Sequence, residues 1–535
     1  MEEEIGNIIS ADNSNWGPSL RVFIEKASSK FKFPELIQGS KREDLWNALL
    51  QIVKTSQDSC IIRDCFITIR ILSREKHNLV ELVNDEWIEL MKKHSIGNED
   101  FEFNENTTPV CLEVLKSLSN LMYNCKPLAE KVVKVGIFKG LKKRMIDYKN
   151  EKYPEEIKFY DVKLTFLITA ISPDIKKEFK DLPVLLMDML QDVLKEAAKN
   201  QESILLTDTQ IDLVSEILKL LFNLTVTSDD SDIEINYLTL VEILRSYMFV
   251  ASSDTDRNWK LRNNVINLLT NIPPETYSAL IIPIQTDRKV PNKYKFENDN
   301  MMAIFEMLVF LKIKFNESTS TSSQYEILSP LLTVLVKSAS HHRSIRKYLR
   351  SHILPPLRDV HSRPEEGDTL RNHLCRLLTS SSSQLNELSS QLLFILCKNN
   401  VTRLVKYAGY GNAAGLLAQR GLLAGGRDIG ESNYSTDSEN SETEEYADHK
   451  HGINPVSGCF EPPHESTMKN MSEEQKEYEA MKLVKLMDDL LKSGSIKPCR
   501  IGKDGKPEPI EHVLQLQEGL KSHQNYLNGA NSDSD

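Results

Sequence analysis

The sequence has 535 residues, of which 40% are hydrophobic, enough for several domains or for one elongated repeat domain with a tail. Its net charge of −11 argues against nucleic acid as the main ligand, because phosphate binding needs a concentrated basic surface. No secretory signal is present, and nowhere do about 18 uncharged apolar residues follow one another. These features predict a soluble cytoplasmic protein.

The sequence offers no constellation for catalysis or metal binding. Its eight cysteines include no Cys-x-x-Cys pair and mostly lie on apolar helical faces, which indicates reduced structural thiols rather than zinc ligands or disulfides. The stretch Gly409–Gly415 imitates a glycine-rich phosphate loop, but no strand precedes it and no Lys-Ser/Thr pair follows. We therefore expect no catalytic residue, no metal and no cofactor.

Helical periodicity dominates residues 1–403, where apolar residues recur at i, i+3, i+4 and i+7. The clearest segments are Arg42–Ser56, Thr108–Tyr123, Asp212–Val226 and Ser329–Ser338. Three helices end in a similar pattern of leucine, one intervening residue, asparagine and an aliphatic residue, with the asparagines at Asn120, Asn223 and Asn271. The echo favours an all-α armadillo/HEAT-like superhelix with a concave peptide-binding groove. Coincidence in a leucine-rich chain is the alternative.

Arg70 and Arg74 are spaced to lie on one helical face, with apolar neighbours such as Phe66 and Ile69. If this helix lines the groove, the two guanidinium groups form a good fork for a carboxylate. The alternative is a pair of exposed arginines on the convex side.

A local excess of basic residues extends from Lys337 to Arg376, although the chain is acidic overall. Either the run is a solvated face, or it is a patch that receives an acidic partner. Its densest part contains Arg343, Arg346, Lys347 and Arg350.

Residues 404–426 are rich in glycine and alanine and are interpreted as a joint between a rigid scaffold and a mobile arm. Residues 427–470 begin with a run of acids, serines and threonines that offers almost nothing to bury, so a disordered linker is predicted. Several of its serines and threonines have an acidic residue three positions later, which makes them candidate sites for an acid-directed kinase. Solvation alone explains such an acidic run equally well.

Residues 471–493 are predicted to form an amphipathic arm helix, with Ser472 at the N-cap, Gln475 at the capping-box position and Gly494 at the stop. Its apolar stripe needs either the chain's own solenoid or a partner. The stripe includes Tyr478, Met481, Val484, Met487 and Leu491. Residues 494–535 are expected to be a mostly flexible tail, with a weaker helix at Glu511–Tyr526.

Several long strings of the sequence resemble the synembryn family, the resistance-to-inhibitors-of-cholinesterase proteins. They are RILSR at Arg70–Arg74, ILPPLRDV at Ile353–Val360, RPEEGDTLRNHLCRLL at Arg363–Leu378, KYAGYGNAAGLLAQRGLLAGG at Lys406–Gly426, INPVSG at Ile453–Gly458 and EEQKEYEAMKLV at Glu473–Val484. The resemblance covers nearly the whole chain in the same order.

The resemblance implies receptor-independent guanine nucleotide exchange on heterotrimeric G-protein α subunits (Gα) and chaperoning of newly made α subunits. It also implies that Arg70, Arg74 and Asn120 meet the Gα C-terminus, and that the arm helix cradles the Ras-like domain of Gα. Recruitment to the cell cortex or plasma membrane would follow from Gα binding. The alternative is an armadillo adaptor that binds peptides without exchange activity.

Phosphorylation in the acidic linker promotes activity in the family that the chain resembles. Ser435, directly after Tyr434, matches the first family position, while Ser441 and Thr443 compete for the second. We expect the phosphate to dock on the basic patch formed by Arg343, Arg346, Lys347 and Arg350.

Overall fold

The computed structural model describes most of the chain and divides it into two compact units, Met1–Ala279 and Leu280–Asp535. This division lies inside the stretch that the sequence assigns to a single solenoid. The described ranges are 2–10, 15–36, 39–96, 103–148, 153–199, 204–226, 235–285, 290–317, 321–425, 443–462, 471–494, 496–502 and 504–510.

The N-terminal unit is built from α-helices whose apolar positions recur with the helical period. They are α1 (Glu2–Ser10), α2 (Trp16–Ala27), α3 (Lys41–Thr55), α4 (Ser59–Leu72), α5 (Leu79–Leu82), α6 (Asp85–Ser95), α7 (Thr107–Asn124), α8 (Lys126–Lys134), α9 (Ile137–Asp147), α10 (Glu155–Ile171), α11 (Leu182–Ala198), α12 (Asp208–Thr225), α13 (Tyr237–Tyr247) and α14 (Thr255–Asn271).

Five of these helices, α4, α7, α10, α12 and α14, pack side by side in chain order, each against the next. We refer to them as the helix stack. Helices that lie between them in sequence pack against members of the stack, as α6 packs on α7 and α11 on α12. Each member of the stack has two faces to bury, which explains the broad apolar stripe of α12, nine of whose residues are buried. Repeating units that bury their faces on one another define an armadillo-type repeat, so the predicted all-α repeat fold is confirmed.

The asparagines of the sequence echo tie the stack together. Asn120 Nδ2 donates to the Arg70 carbonyl oxygen on α4 at 3.5 Å. Asn223 on α12 donates to the carbonyl of Phe166 on α10 at 3.2 Å, and Asn271 on α14 to that of Phe222 on α12 at 3.1 Å. Each amide thus adds a hydrogen bond to a carbonyl in the C-terminal half of the preceding stacked helix. The echo therefore reflects a structural repeat and not coincidence.

A buried ion pair links α9 to α10. Arg144 Nε donates to Asp161 Oδ2 at 2.7 Å, and the Tyr148 hydroxyl donates to the same oxygen at 2.6 Å. Arg144 also donates to the Ser95 carbonyl at 2.6 Å. Asp161 is fully buried, and burial raises the pKa of Tyr148 well above its ordinary value. Several hydrogen bonds therefore compensate the desolvation of these charges.

The C-terminal unit contains further helices and, within the described residues, five short strands. The helices are α15 (Met302–Asn316), α16 (Thr321–His341), α17 (Arg343–Ile353), α18 (Leu370–Leu377), α19 (Ser383–Leu396), α20 (Val401–Ala408), α21 (Tyr410–Gln419), α22 (Glu444–His449) and α23 (Glu473–Lys492). The strands are β1 (Ile282–Pro283), β2 (Lys295–Phe296), β3 (Asp299–Asn300), β4 (Cys499–Ile501) and β5 (Pro507–Pro509). β3 pairs antiparallel with both β1 and β2.

Residues 443–462, which the sequence places in a disordered linker, are folded and pack on the joint; we call this segment the strap. Tyr410 N donates to the Pro455 carbonyl at 2.8 Å, and Gly411 N to that of Val456 at 2.9 Å. Gly409 and Gly458 both have positive φ and lie so close together that a Cβ on Gly458 would come within 3.0 Å of the Gly409 Cα. The prediction was wrong for this part because its apolar anchors are few and its binding is mostly through main-chain groups.

The chain after the arm helix also returns to the joint. β4 and β5 form an antiparallel hairpin, and Leu423 N donates to the Gly505 carbonyl at 3.2 Å. Ile510 at the end of the hairpin is buried. The expectation of a flexible tail therefore fails for residues 496–502 and 504–510, whereas the predicted helix at Glu511–Tyr526 lies outside the described residues. The strap before the arm helix and the hairpin after it therefore both contact the joint.

Candidate partner-binding site

Lysines recur at the same position of three successive members of the helix stack. Lys116 and Lys219 each lie four residues before the asparagine that ties their helix to the preceding one. Lys163 lies three residues before Phe166, as Lys219 lies three before Phe222. All three lysines are half-buried. We call Lys116, Lys163 and Lys219 the lysine row.

Each lysine of the row lies near an aromatic ring of α10. Lys116 Nζ is 5.9 Å from the centroid of the Tyr160 ring, and Lys163 Nζ is 5.7 Å from the same centroid. Lys219 Nζ is 5.9 Å from the centroid of the Phe166 ring. These distances are within the range of cation–π attraction, and the aromatic faces limit where the ammonium groups can move. The result is a surface on which cations and aromatic rings alternate.

Two glutamates hold part of the cationic surface in place. Glu113 accepts from Arg70 Nε at 2.8 Å and from Lys116 Nζ at 3.0 Å. Glu216 accepts from Lys219 Nζ at 2.8 Å. Because the cations are partly exposed, these pairs contribute little to folding stability. Their main effect is to orient cations that outnumber the carboxylates, which leaves the surface attractive to acidic groups.

Arg70 lies on α4, within the helical segment in which the sequence places it. Its side chain is 30% exposed, with Nε held by Glu113. Its two terminal nitrogens make no hydrogen bond to any residue that the structure describes. Asn120 is half-buried beside it on α7 and donates to the Arg70 main chain. The structure thus brings Arg70 and Asn120 together, and their binding of a carboxylate stays a prediction.

Arg74 lies outside the helix that the sequence assigns to it, because α4 ends at Leu72. Its Nη1 donates to the carbonyls of Ser28 and Lys30, at 2.8 and 2.9 Å, and its guanidinium lies over the Phe31 ring, 5.2 Å from the centroid. Burial, with the nearby Arg70 charge, lowers the pKa of Arg74. The expectation that both guanidinium groups project from one helical face was wrong, and Arg74 instead holds the loop after α2.

The arm helix α23 begins with the capping box that the sequence predicts, between Ser472 and Gln475. None of its residues is buried. Tyr478 and Met481 are 68% and 70% exposed, Val484 is also exposed, and Met487 and Leu491 are half-buried. Exposed apolar side chains at helical spacing are typical of a surface that binds a partner.

The basic patch differs from the predicted phosphate-docking surface. Arg346 Nη1 donates to the Ala339 carbonyl at the end of α16, at 2.7 Å. Lys347 Nζ binds Glu297 at 3.0 Å. Arg350 is buried against Tyr407. Burial raises the pKa of Tyr407, and the charge and hydrogen bond of Arg350 offset part of this rise. A buried arginine cannot receive a phosphate from solvent, so Arg350 does not belong to such a surface. Arg343 begins α17 and also interacts with other residues.

Only one of the three candidate phosphorylation sites falls within the described residues. Ser435 and Ser441 lie outside them. Thr443 is the N-cap of α22, where its side chain accepts from Tyr446 N and donates to the Leu357 carbonyl. The hydroxyl of Thr443 is therefore already used to begin the strap helix.

The lysine row was not identified from the sequence, although a signal was present. Glutamate precedes two of the lysines by three residues, at Glu113 and Glu216, and the asparagine of the echo follows each by four. Read as a repeat unit, the pattern Glu-x-x-Lys-x-x-x-Asn would have indicated which face of α7 and α12 carries the charges. Lys163 lacks both markers, so only the structure shows that it belongs to the lysine row.

The described residues contain no group of three His, Cys, Asp or Glu side chains positioned to share a metal ion. Within the same ranges, no helix combines the length and apolar character needed to span a membrane. The armadillo-type helix stack places this chain in the class of all-α helical-repeat proteins.

Comparisons with known proteins identify the family. A family model described as guanine nucleotide exchange factor synembryn, Ric8, matches residues 65–506. The chain is 36% identical to chaperone Ric-8 of Drosophila melanogaster, over 98% of this chain and 99% of that protein. It is 35% identical to chaperone Ric-8A of Gallus gallus, over 93% of each. The chain therefore belongs to the Ric8 synembryn family.

Among solved structures, the crystal complex of SYS-1 with POP-1 aligns with a TM-score of 0.45 at 10% identity, over 70% of this chain and 69% of that chain. The helix packing of this chain by itself defines the repeat architecture.

Proposed function

We propose that this protein is a receptor-independent guanine nucleotide exchange factor for Gα and a chaperone for newly made Gα. The observation that carries the proposal is the cationic, aromatic-lined helix stack, with Arg70 oriented beside Asn120, in a chain of the synembryn family. In this proposal the stack captures the C-terminal helix of GDP-bound Gα. No group of the protein reacts with the nucleotide.

The mechanism is differential binding. Gα whose C-terminal helix has been drawn onto the stack can no longer hold the loop around the guanine base, so GDP leaves. Because the factor binds the nucleotide-free state more tightly than the GDP-bound state, it shifts Gα toward that state. GTP reverses the shift by binding the conformation that the factor does not bind. A tenfold difference in affinity between the two states corresponds to about 1.4 kcal/mol.

The residues of the stack have separate roles in this proposal. The terminal carboxylate of Gα binds the open edge of Arg70 and the free donor of Asn120, while acidic side chains of the captured helix face the lysine row. Arg74 contributes by holding the loop at Ser28 and Lys30.

The arm helix supplies the second contact. Its exposed side chains Tyr478, Met481 and Val484, with Met487 and Leu491, bind the Ras-like domain of Gα while the stack holds the C-terminal helix. Covering apolar surface of an incompletely folded Gα is also what a chaperone requires. Both ends of the arm are fixed to the joint, so α23 is confined near its base.

We further propose that an acid-directed kinase phosphorylates Ser435 and Ser441, and that the charges dock near Arg343, Arg346 and Lys347. Ser441 is favoured over Thr443 because the Thr443 hydroxyl caps α22. The protein acts in the cytoplasm and reaches the cell cortex or plasma membrane through Gα.

The test follows GDP release from GDP-loaded Gα with the intact chain, with Lys116→Ala/Lys163→Ala, and with Asn47→Ala on α3, outside the stack, as a control. We expect the intact chain and the control to accelerate release equally and the double variant to be about tenfold weaker, because two charge contacts are lost. Binding without acceleration would indicate the alternative, an armadillo adaptor. Absence of binding would refute the proposal.

A further inference from the structure

The lysine row ends at α14, where asparagine takes the lysine position. Asn267 precedes Asn271 by four residues, as Lys116 precedes Asn120 and Lys219 precedes Asn223. Two more asparagines, Asn263 and Asn264, lie within one turn of it on the same helix. At the position of the lysine row, the side chain therefore changes from lysine on α12 to a neutral amide on α14.

Two neighbouring pockets open at this end of the stack. One of 220 Å³ is lined by the amides Asn264 and Asn267 and the rings Phe166 and Phe222, together with Leu218, Lys219 and Asn223. A second of 380 Å³ is lined by Asn263 and Asn264 with residues of α10 and α12. We call Asn263, Asn264 and Asn267 the amide subsite.

The side chains of the amide subsite are half-buried and make no hydrogen bond to any residue that the structure describes. This distinguishes them from Asn223 and Asn271, whose amides tie the stack together. The main cations that also line the larger pocket are matched by carboxylates, since Arg257 binds Asp212 at 2.7 Å and Lys219 binds Glu216 at 2.8 Å. Lys260 at its edge is exposed.

A carboxamide presents two N–H donors and one carbonyl acceptor, the same groups that pair with the C=O and N–H of a peptide unit. Main-chain groups are open to such pairing only where the bound chain is extended, because a helix uses them internally. Neutral amides over an aromatic floor therefore suit an extended main chain, whereas the lysine row suits the acidic side chains of a helix.

Dimensions agree with this division. Four helix-to-helix steps of 8–10 Å separate α4 from α14, or roughly 32–40 Å. A captured helix of up to five turns is at most about 27 Å long. With its C-terminal end at Arg70, such a helix ends before α14, and the chain that precedes it passes the amide subsite.

We propose that the amide subsite binds, through main-chain hydrogen bonds, an extended segment that immediately precedes the captured helix of the partner. The inference rests on the proposed function, because it assumes that a C-terminal helix of Gα occupies the rest of the stack. Holding the preceding segment in extended form keeps the helix from returning to its place in Gα.

The test measures the affinity of the full chain for two synthetic peptides by calorimetry. The short peptide is the C-terminal helix of Gα, and the long one adds the eight residues that precede it. We expect the long peptide to bind the wild-type protein about tenfold more tightly, and Asn264→Leu/Asn267→Leu to remove that gain while leaving the short peptide unaffected. Asn47→Leu on α3 is the matched control.

A long peptide with N-methylated amides in the extension separates main-chain from side-chain recognition. It should bind the wild-type protein no better than the short peptide, and unchanged tight binding would overturn the inference. Equal affinity of the short and long peptides would also overturn it while leaving GDP release intact. If neither peptide binds and GDP release is not accelerated, the proposed function fails and the inference fails with it.

A single substitution protects the test against loss of folding in the double variant. Asn267→Lys continues the lysine row by one helix and replaces a half-buried, solvent-facing amide. It should weaken binding of a long peptide whose extension is uncharged about threefold to fivefold and strengthen binding of one with two glutamates in the extension. Equal effects on both peptides would contradict an uncharged subsite.

Discussion

The helix stack and the arm helix both present side chains to solvent for a partner, but they are supported in opposite ways. Each helix of the stack is buried on two sides, and its surface cations are oriented by glutamates and aromatic rings. No residue of α23 is buried, and among the described residues the segments before and after the helix are hydrogen-bonded to the joint. The stack is therefore organised before binding, whereas α23 obtains its packing from the partner.

This difference separates stability from function. A substitution beneath the stack should unfold it and abolish binding indirectly. A substitution on α23 should leave folding unchanged and weaken only the interaction with the partner. The expected effects decrease from a loss of several kcal/mol of unfolding free energy to a change in how that free energy depends on pH.

The largest effect is expected from breaking the buried ion pair of the N-terminal unit. Asp161→Asn leaves Arg144 buried without a counter-charge, which costs about 3–5 kcal/mol. Urea unfolding measures the loss. Asp192→Asn is the control, because its pair with Lys195 is about two-thirds exposed and contributes less than about 0.5 kcal/mol. Equal effects of the two variants would mean that the buried pair is not a special support of the stack.

The next effect concerns the attachment of the arm. Gly458→Ala places a Cβ 2.8 Å from Pro364 Cγ and 3.0 Å from the Gly409 Cα, at a φ of +73°. We expect a loss of about 2–3 kcal/mol in the C-terminal unit and faster proteolysis within the strap. Gly415→Ala is the control, since nothing lies within 4 Å of its Cβ and alanine favours the helix. Unchanged proteolysis in Gly458→Ala would show that the strap does not depend on this contact.

A substitution on the arm tests the other half of the comparison. Tyr478→Glu/Met481→Glu removes apolar surface that is about two-thirds exposed in the free protein. The free energy of unfolding should change by less than about 0.5 kcal/mol. GDP release from Gα should become about tenfold slower, because apolar contacts with the partner are lost. A large loss of stability would mean that α23 packs on its own chain in solution.

The sequence predicts the repeat fold well because one rule, burial of broad helical faces, produces both the periodicity and the stack. Asn120, Asn223 and Asn271 were recognisable for the same reason. Arg74 was misplaced because helix spacing was assumed beyond Leu72, where the chain turns.

The strap could not be predicted from its composition. Its contacts at Pro455 and Val456 are mostly main-chain hydrogen bonds, which leave no apolar pattern in the sequence. Lys163 was missed because it lacks the preceding glutamate and the following asparagine that mark Lys116 and Lys219. Its place became visible only once α10 was seen to pack between α7 and α12.

The smallest effect is a pH dependence confined to the N-terminal unit. His94 on α6 lies 5.9 Å from the Phe66 ring, and burial, followed by the charge of Lys93, lowers the pKa of His94 below its ordinary value of about 6.5. The unfolded chain therefore binds a proton at this position more readily than the folded one. This contribution to stability is complete above pH 6.5 and decreases as the pH falls below it.

His94→Gln should flatten the dependence of the unfolding free energy on pH between 7 and 5, which denaturant titrations at several pH values measure. α23 contains no histidine, so the helicity of the arm should be insensitive to this range. If the unfolding free energy of the N-terminal unit depended on pH equally in the variant and in the wild type, the packing around α6 would not distinguish neutral from protonated His94. The pH response would then give no evidence that the stack is the more tightly organised of the two surfaces.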